Sequence, residues 1–126
     1  MGILENAKPA IVICTRDRAP STTFYRDKLG LHLAQEDNLA AVFHTGGITL
    51  RISFVPDFTP HTHTILGFQV PDVRVTVKAL QEKGVTFNRY PRFQQDEHGI
   101  LTVPGSTIQV AWLTDPDGNV LSITSA

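Results

Sequence analysis

The sequence predicts an α+β fold made of two copies of one βαβββ module. Three observations carry that prediction. Residues 16–31 (RDRAPSTTFYRDKLGL) and 71–85 (PDVRVTVKALQEKGV) share one outline: a polar lead-in, an amphipathic helix, a glycine stop and a strand. A hydrophobic strand precedes each, AIVICTR in the first and TILGFQV in the second. Gly30 and Gly84, which close the two helices, stand a little under half the chain apart. That is the period of a duplicated supersecondary unit whose copies bury their faces together.

The first strand is expected at Ala10–Thr15, an apolar run with β-branched residues. A helix follows, opened by Ala19-Pro20-Ser21, where a proline in the first turn loses no needed hydrogen bond. Phe24, Tyr25, Leu29 and the aliphatic stem of Lys28 give its buried face, and Gly30 ends it. Strands are expected at Leu31–Glu36, Leu39–His44 and Ile48–Val55, with turns at Asp37-Asn38 and Gly46-Gly47. Residues 56–62 (PDFTPHT) carry two prolines and no periodicity, so they read as the linker between a first module at 8–55 and a second at 63–126. Within the second, a strand from His63 or Thr64 runs to Val70, and Asp72 caps a helix with Val73, Val77 and Leu80 inward. A further strand is expected to begin near Val85, followed by a polar stretch, YPRFQQDEHG, able to overhang a site. Ile108–Thr114 and Val120–Thr124 form a final hairpin, joined by Asp115-Pro116-Asp117-Gly118-Asn119. Side by side, the strands make a curved, mostly antiparallel eight-stranded sheet with helices on its convex face and a cavity on the other.

Length and composition limit the function. At 126 residues the chain makes one domain, residues 1–126, with an ordinary apolar content of 41%. A net charge of −1 without runs of either sign argues against nucleic acid or a membrane surface as partner. The N-terminal stretch MGILENAKPAIVIC is short and lacks a basic lead-in, so a cytoplasmic protein is expected. The single cysteine, Cys14, excludes an internal disulfide and reads as a small buried hydrophobe. No phosphate-binding glycine loop, Cys-x-x-Cys or Gly-x-Ser-x-Gly motif is present.

Alternation along the strands sorts the side chains into two faces. One is apolar: Ile11 and Ile13; Leu50, Ile52 and Phe54; Leu66, Phe68 and Val70; Leu121 and Ile123. The other is mixed: Ala10, Val12 and Cys14; Thr49, Arg51 and Ser53; His63, Ile65, Gly67 and Gln69; Ser122 and Thr124. The first needs helices over it; the second suits an enclosed pocket with a few hydrogen-bonding groups, or a wet sheet face.

FYRDKLGL after a strand, FQVPDV before a helix and DPDGNVLSI at the C-terminus, in this order, resemble the vicinal oxygen chelate superfamily. That superfamily includes glyoxalase I, extradiol dioxygenases, and the fosfomycin- and bleomycin-resistance proteins. The resemblance covers residues 8–125 and implies the glyoxalase/bleomycin-resistance fold, a homodimer and a small-molecule ligand. Metal-using members place a His, Gln or Glu ligand on the first and last strand of each copy. Here those positions hold Ala10, Arg51, Ile65 and Ser122. Ala and Ile have no lone pair to offer, Arg repels a cation, and Ser is a poor ligand for a transition metal. The expectation is therefore no metal and no other cofactor.

Candidate ligand-binding residues are Arg51, for an anionic or carbonyl group, with His63, Gln69, Ser122 and Thr124 as polar contacts. Trp112 and Phe43 would stack on a planar ligand if they face the cavity. Arg51 also reads as a surface ion-pair partner, and Trp112 as a core or dimer contact. The expected function is metal-free binding of a small organic molecule, as in the sequestering resistance proteins. The alternative is a lyase, isomerase or dioxygenase-like enzyme acting without metal, or through a non-standard site that includes His63 of the His61-x-His63 pair. An accessory subunit with no ligand of its own is the third reading.

Overall fold

The computed structural model describes residues 2–125. In chain order these form β1 Ala10–Thr15, α1 Arg18–Thr23 running into a π-helical turn at Phe24–Lys28, β2 His32–Glu36, β3 Ala40–Thr45 and β4 Ile48–Phe54. Then come β5 Thr64–Gln69, α2 Val73–Glu82, β6 Leu101–Thr102, β7 Gln109–Thr114 and β8 Val120–Thr124. Hydrogen bonding sorts the strands into two four-stranded sheets, ordered β1-β4-β3-β2 and β5-β8-β7-β6. Each copy of the repeat thus owns one sheet, in the same strand order. In both, the first strand runs parallel to the last and the remaining pairs are antiparallel. The chain divides into two units between Phe58 and Thr59.

In the first unit Ile13, Leu50, Ile52, Ala41 and Phe43 are buried on the helix side of the sheet. The Tyr25 ring sits 6.0 Å from Phe43 and 5.3 Å from Phe24. Phe24 and Tyr25 are consecutive and both buried, which the widened turn accommodates: the Leu29 N–H donates to the Phe24 carbonyl, five residues back, at 3.0 Å. Gly30, at φ 76°, then reverses the chain in a conformation that costs other residues more. Lys28 and Leu29, expected on the inward face, are only half-buried.

In the second unit the Asp72 carboxylate accepts from the Val75 N–H at 3.1 Å and caps α2. Val73, Val77 and Leu80 are buried, and α2 packs on β7 and β8, where Ala111, Leu113, Leu121 and Ile123 are buried. Each such Val, Leu or Ile side chain taken from water contributes roughly 1.5–3 kcal/mol. Gly84 closes the helix at φ 88°, matching Gly30.

One expected strand is absent. From Val85 to Ile100 the backbone pairs with the sheet only at isolated bridges, Phe87 to Leu113 and Gln95 to Leu101. Side chains satisfy its backbone instead. Gln95 Oε1 accepts from the Tyr90 N–H at 2.7 Å, and Gln95 Nε2 donates to the carbonyls of Asn88 and Gly99 at 2.9 and 2.8 Å. Arg89 donates to the carbonyls of Asp96 and Glu97 at 2.5 and 2.7 Å. With those groups paired, a sheet ladder has nothing further to offer this segment.

The β7–β8 turn is built around a buried carboxylate. Asp115 Oδ1 accepts from the N–H groups of Asp117 and Asn119, and Oδ2 from Asn119 Nδ2, each at 2.9 Å. Asp115, Asp117 and Asn119 are all buried, so the paired aspartates are turn residues. Replacing Asp115→Ala strands these donors; urea unfolding is expected to show a loss of roughly 2–3 kcal/mol.

Candidate functional site

The mixed face of the second sheet is laid out in rows by strand register. Gly67, Ser122 and Trp112 lie side by side across β5, β8 and β7; Gln69, Thr124 and Val110 form the next row. Gly67 is required here by close approach: a Cβ on it would meet Ser122 Oγ at 2.9 Å. The two small residues leave the indole of Trp112 standing above its neighbours.

Two aromatic rings from the side-chain-stapled 88–100 segment meet that indole. Phe93 lies parallel to it, with ring centroids 5.3 Å apart and planes 11° apart. Tyr90 meets it edge-on at 5.3 Å. Both geometries suit the ring quadrupoles. The Arg92 guanidinium lies over Phe93, 4.9 Å from the ring centre. Beside this cluster opens a cavity of about 210 Å³, lined by Thr62, His63 and Thr64, by Tyr90, Arg92 and Phe93, and by Trp112 and Val120. Among the described residues no carboxylate lines it.

Of the six residues expected to bind ligand, His63 and Trp112 are therefore brought together at one cavity. Ser122 is buried in the row of Trp112, while Gln69 (exposed) and Thr124 (half-buried) lie one row further along, outside the cavity lining. Arg51 belongs to the first unit, half-buried on β4 between Val12 and Val42. Its charge helps hold the Asp37 carboxyl below the ordinary aspartate value, after the backbone N–H groups of Leu39 and Ala40. Phe43 does not face a ligand. It is fully buried on the helix side against Tyr25, because its partner in register, Leu50, belongs to the apolar face. Sequence reasoning missed Tyr90, Arg92 and Phe93 as wall residues, although it marked their segment as able to overhang a site. They have no periodicity to place them, and only the stapled path of the segment does.

Strand register places the four positions where metal-using relatives would carry ligands. Ala10 pairs with Thr49, Arg51 with Val12, and Ser122 with Gly67, while Ile65 falls at a register shift in β5. The rings of His61 and His63 stack 4.9 Å apart and both residues are exposed, so they could supply two nitrogens. Among the described residues no three His, Cys, Asp or Glu side chains converge. This donor set does not fit a catalytic divalent metal, which needs about three protein ligands.

The 88–100 segment depends on Asp96. Its Oδ1 accepts from the N–H groups of His98 and Ile100 at 2.8 and 2.9 Å, and its Oδ2 pairs with Arg74 at 2.8 Å. Partial burial pushes this carboxyl up, but the Ile100 N–H, the Arg74 guanidinium and the His98 N–H together hold it below the ordinary 3.8. A depressed folded-state pKa means the stabilisation is present above that ordinary value and fades as pH falls through the lower one. Acidification below about pH 4 is expected to loosen the segment and shift Trp112 emission, and Asp96→Asn is expected to flatten that acid limb.

Three comparisons bear on identity. Among solved structures the chain is similar to a bleomycin resistance determinant encoded on transposon Tn5, at 21% identity and a TM-score of 0.70, covering 94% of this chain and 96% of that one. It is similar to a glyoxalase family protein from Enterococcus faecalis, at 18% identity and a TM-score of 0.72, covering 99% and 100%. A glyoxalase/dioxygenase from Nostoc punctiforme matches at 19% identity and a TM-score of 0.69, covering 99% and 94%. These identities speak for the fold alone. No curated protein matches the chain significantly. The family pattern itself matches residues 9–123, nearly the whole length, and the chain accordingly belongs to the Glyoxalase/Bleomycin resistance protein/Dioxygenase superfamily.

Proposed function

We propose that this protein binds a small organic molecule with a planar ring, without a metal, and releases it chemically unchanged. The observation that carries the reading is the indole of Trp112, walled by Tyr90 and Phe93 at the edge of a cavity of about 210 Å³. A half-buried tryptophan beside small residues offers a flat surface whose further burial rewards a ring. The absence of carboxylates from the lining disfavours a cationic guest. The matched bleomycin resistance determinant is a precedent for a resistance role on this fold.

His63 in the same lining favours one second reading, a metal-independent lyase or isomerase with this imidazole as base. Mass spectrometry of a bound compound recovered after prolonged incubation separates the two: an unaltered mass supports sequestration, a changed mass supports catalysis.

The protein is expected to bind planar aromatic compounds equally well before and after chelator treatment, measured by equilibrium dialysis. Trp112→Ala is expected to weaken them about tenfold. A requirement for added metal, or indifference to Trp112→Ala, would overturn the reading. Members of this fold family commonly pair, and sedimentation velocity is expected to show a two-chain species.

A further inference from the structure

A second cavity lies beside the first and shares its wall. It is a groove of about 670 Å³ lined by Arg74, Ile100, Leu101, Thr102 and Pro104 and by residues 92–96 of the stapled segment. Arg92 and Phe93 line both this groove and the smaller cavity over Trp112. They form the ridge between the two.

The charges around that ridge are unevenly spent. Arg74 is ion-paired with Asp96 at 2.8 Å, so those two groove charges offset each other. Arg89, the neighbouring arginine, is engaged by two backbone carbonyls. Arg92 is exposed, lies over the face of Phe93, and has no carboxylate or carbonyl partner among the described residues. The groove is left with one uncompensated positive charge, at the point where it adjoins the aromatic cavity. Its two arginines and single aspartate would welcome an anion and discriminate against a cation.

Resting on the aromatic-cavity reading above, we propose that the ligand class is an aromatic anion. Its ring occupies the Trp112 cavity, and a carboxylate, sulfonate or phosphate arm crosses Phe93 to be held by the Arg92 guanidinium in the larger groove. The groove's volume of about 670 Å³ leaves room for an arm of several atoms, and the combined space falls in the size range of small-molecule sites. Arg92, not Arg51, is then the residue that reads the anion.

Two probes differing by one group test this: 1-anilinonaphthalene-8-sulfonate and its neutral parent, N-phenyl-1-naphthylamine. Binding is followed by probe fluorescence and by emission of Trp112, the single tryptophan of the chain. The native protein is expected to prefer the sulfonate. Arg92→Gln is expected to abolish the preference, lowering the ratio of sulfonate to neutral-probe affinity about ten- to a hundredfold, and Arg92→Lys to restore part of it. Arg92 is exposed, so the variant is expected to keep the native circular dichroism and melting curve. Equal affinity for both probes, or a preference that survives Arg92→Gln, overturns the anion arm and leaves the aromatic cavity standing. Failure of both probes to bind or to move Trp112 emission overturns the arm and the cavity reading together.

Discussion

In each half of this protein the first strand lies parallel to the last, and the rest of the architecture follows from that pairing. Parallel neighbours cannot be joined by a tight turn. The chain must cross over, and here the crossover is a helix followed by two further strands. The helix has to lie on one face of the sheet, so that face becomes apolar and the opposite face is released for other side chains. Ile13, Leu50 and Ile52 in one copy, and Leu66, Leu121 and Ile123 in the other, are buried for this reason. Arg51 and Trp112 stand on the opposite face of their own sheets for the same reason.

The second copy opens a cavity on its released face by a different device. Its 88–100 segment forms no continuous sheet ladder and is held by Gln95, Arg89 and Asp96, whose side chains pair with backbone groups of the segment itself. A segment stapled in this way can present side chains that a regular strand would have had to alternate. Tyr90, Arg92 and Phe93 come to one place at the edge of Trp112 because the backbone between them is irregular and still satisfied. The first copy has no corresponding segment: β2 and β3 there are ordinary strands of five and six residues, whereas β6 has two. The duplicated frame is shared, and the elaboration belongs to one half.

Membership of a superfamily with metal-dependent enzymes makes the residues at the four strand positions informative. Ala10, Arg51 and Ser122 are held in regular strand register and Ile65 lies at a register shift, and none of these four side chains is a good ligand for a divalent cation. A cationic guanidinium at one of them is a change of sign.

The sequence by itself determined the duplication, the helices closed at Gly30 and Gly84, the strands at Ala10–Thr15 and Val120–Thr124 and the division into an apolar and a mixed face. Those features are local: periodicity, caps and turn chemistry act over a few residues and are written in their order. The same signals marked Trp112 and His63 but gave no reason for them to share a cavity. They misjudged Phe43, whose orientation depends on its register with Leu50, and they read a strand after Val85 where side chains had taken over the backbone's hydrogen bonds. Only the tertiary structure decided which aromatic rings stack, which arginine is left uncompensated and where two cavities meet. Those outcomes depend on pairings between distant residues, such as Arg74 with Asp96 and Phe93 with Trp112, that no local pattern encodes.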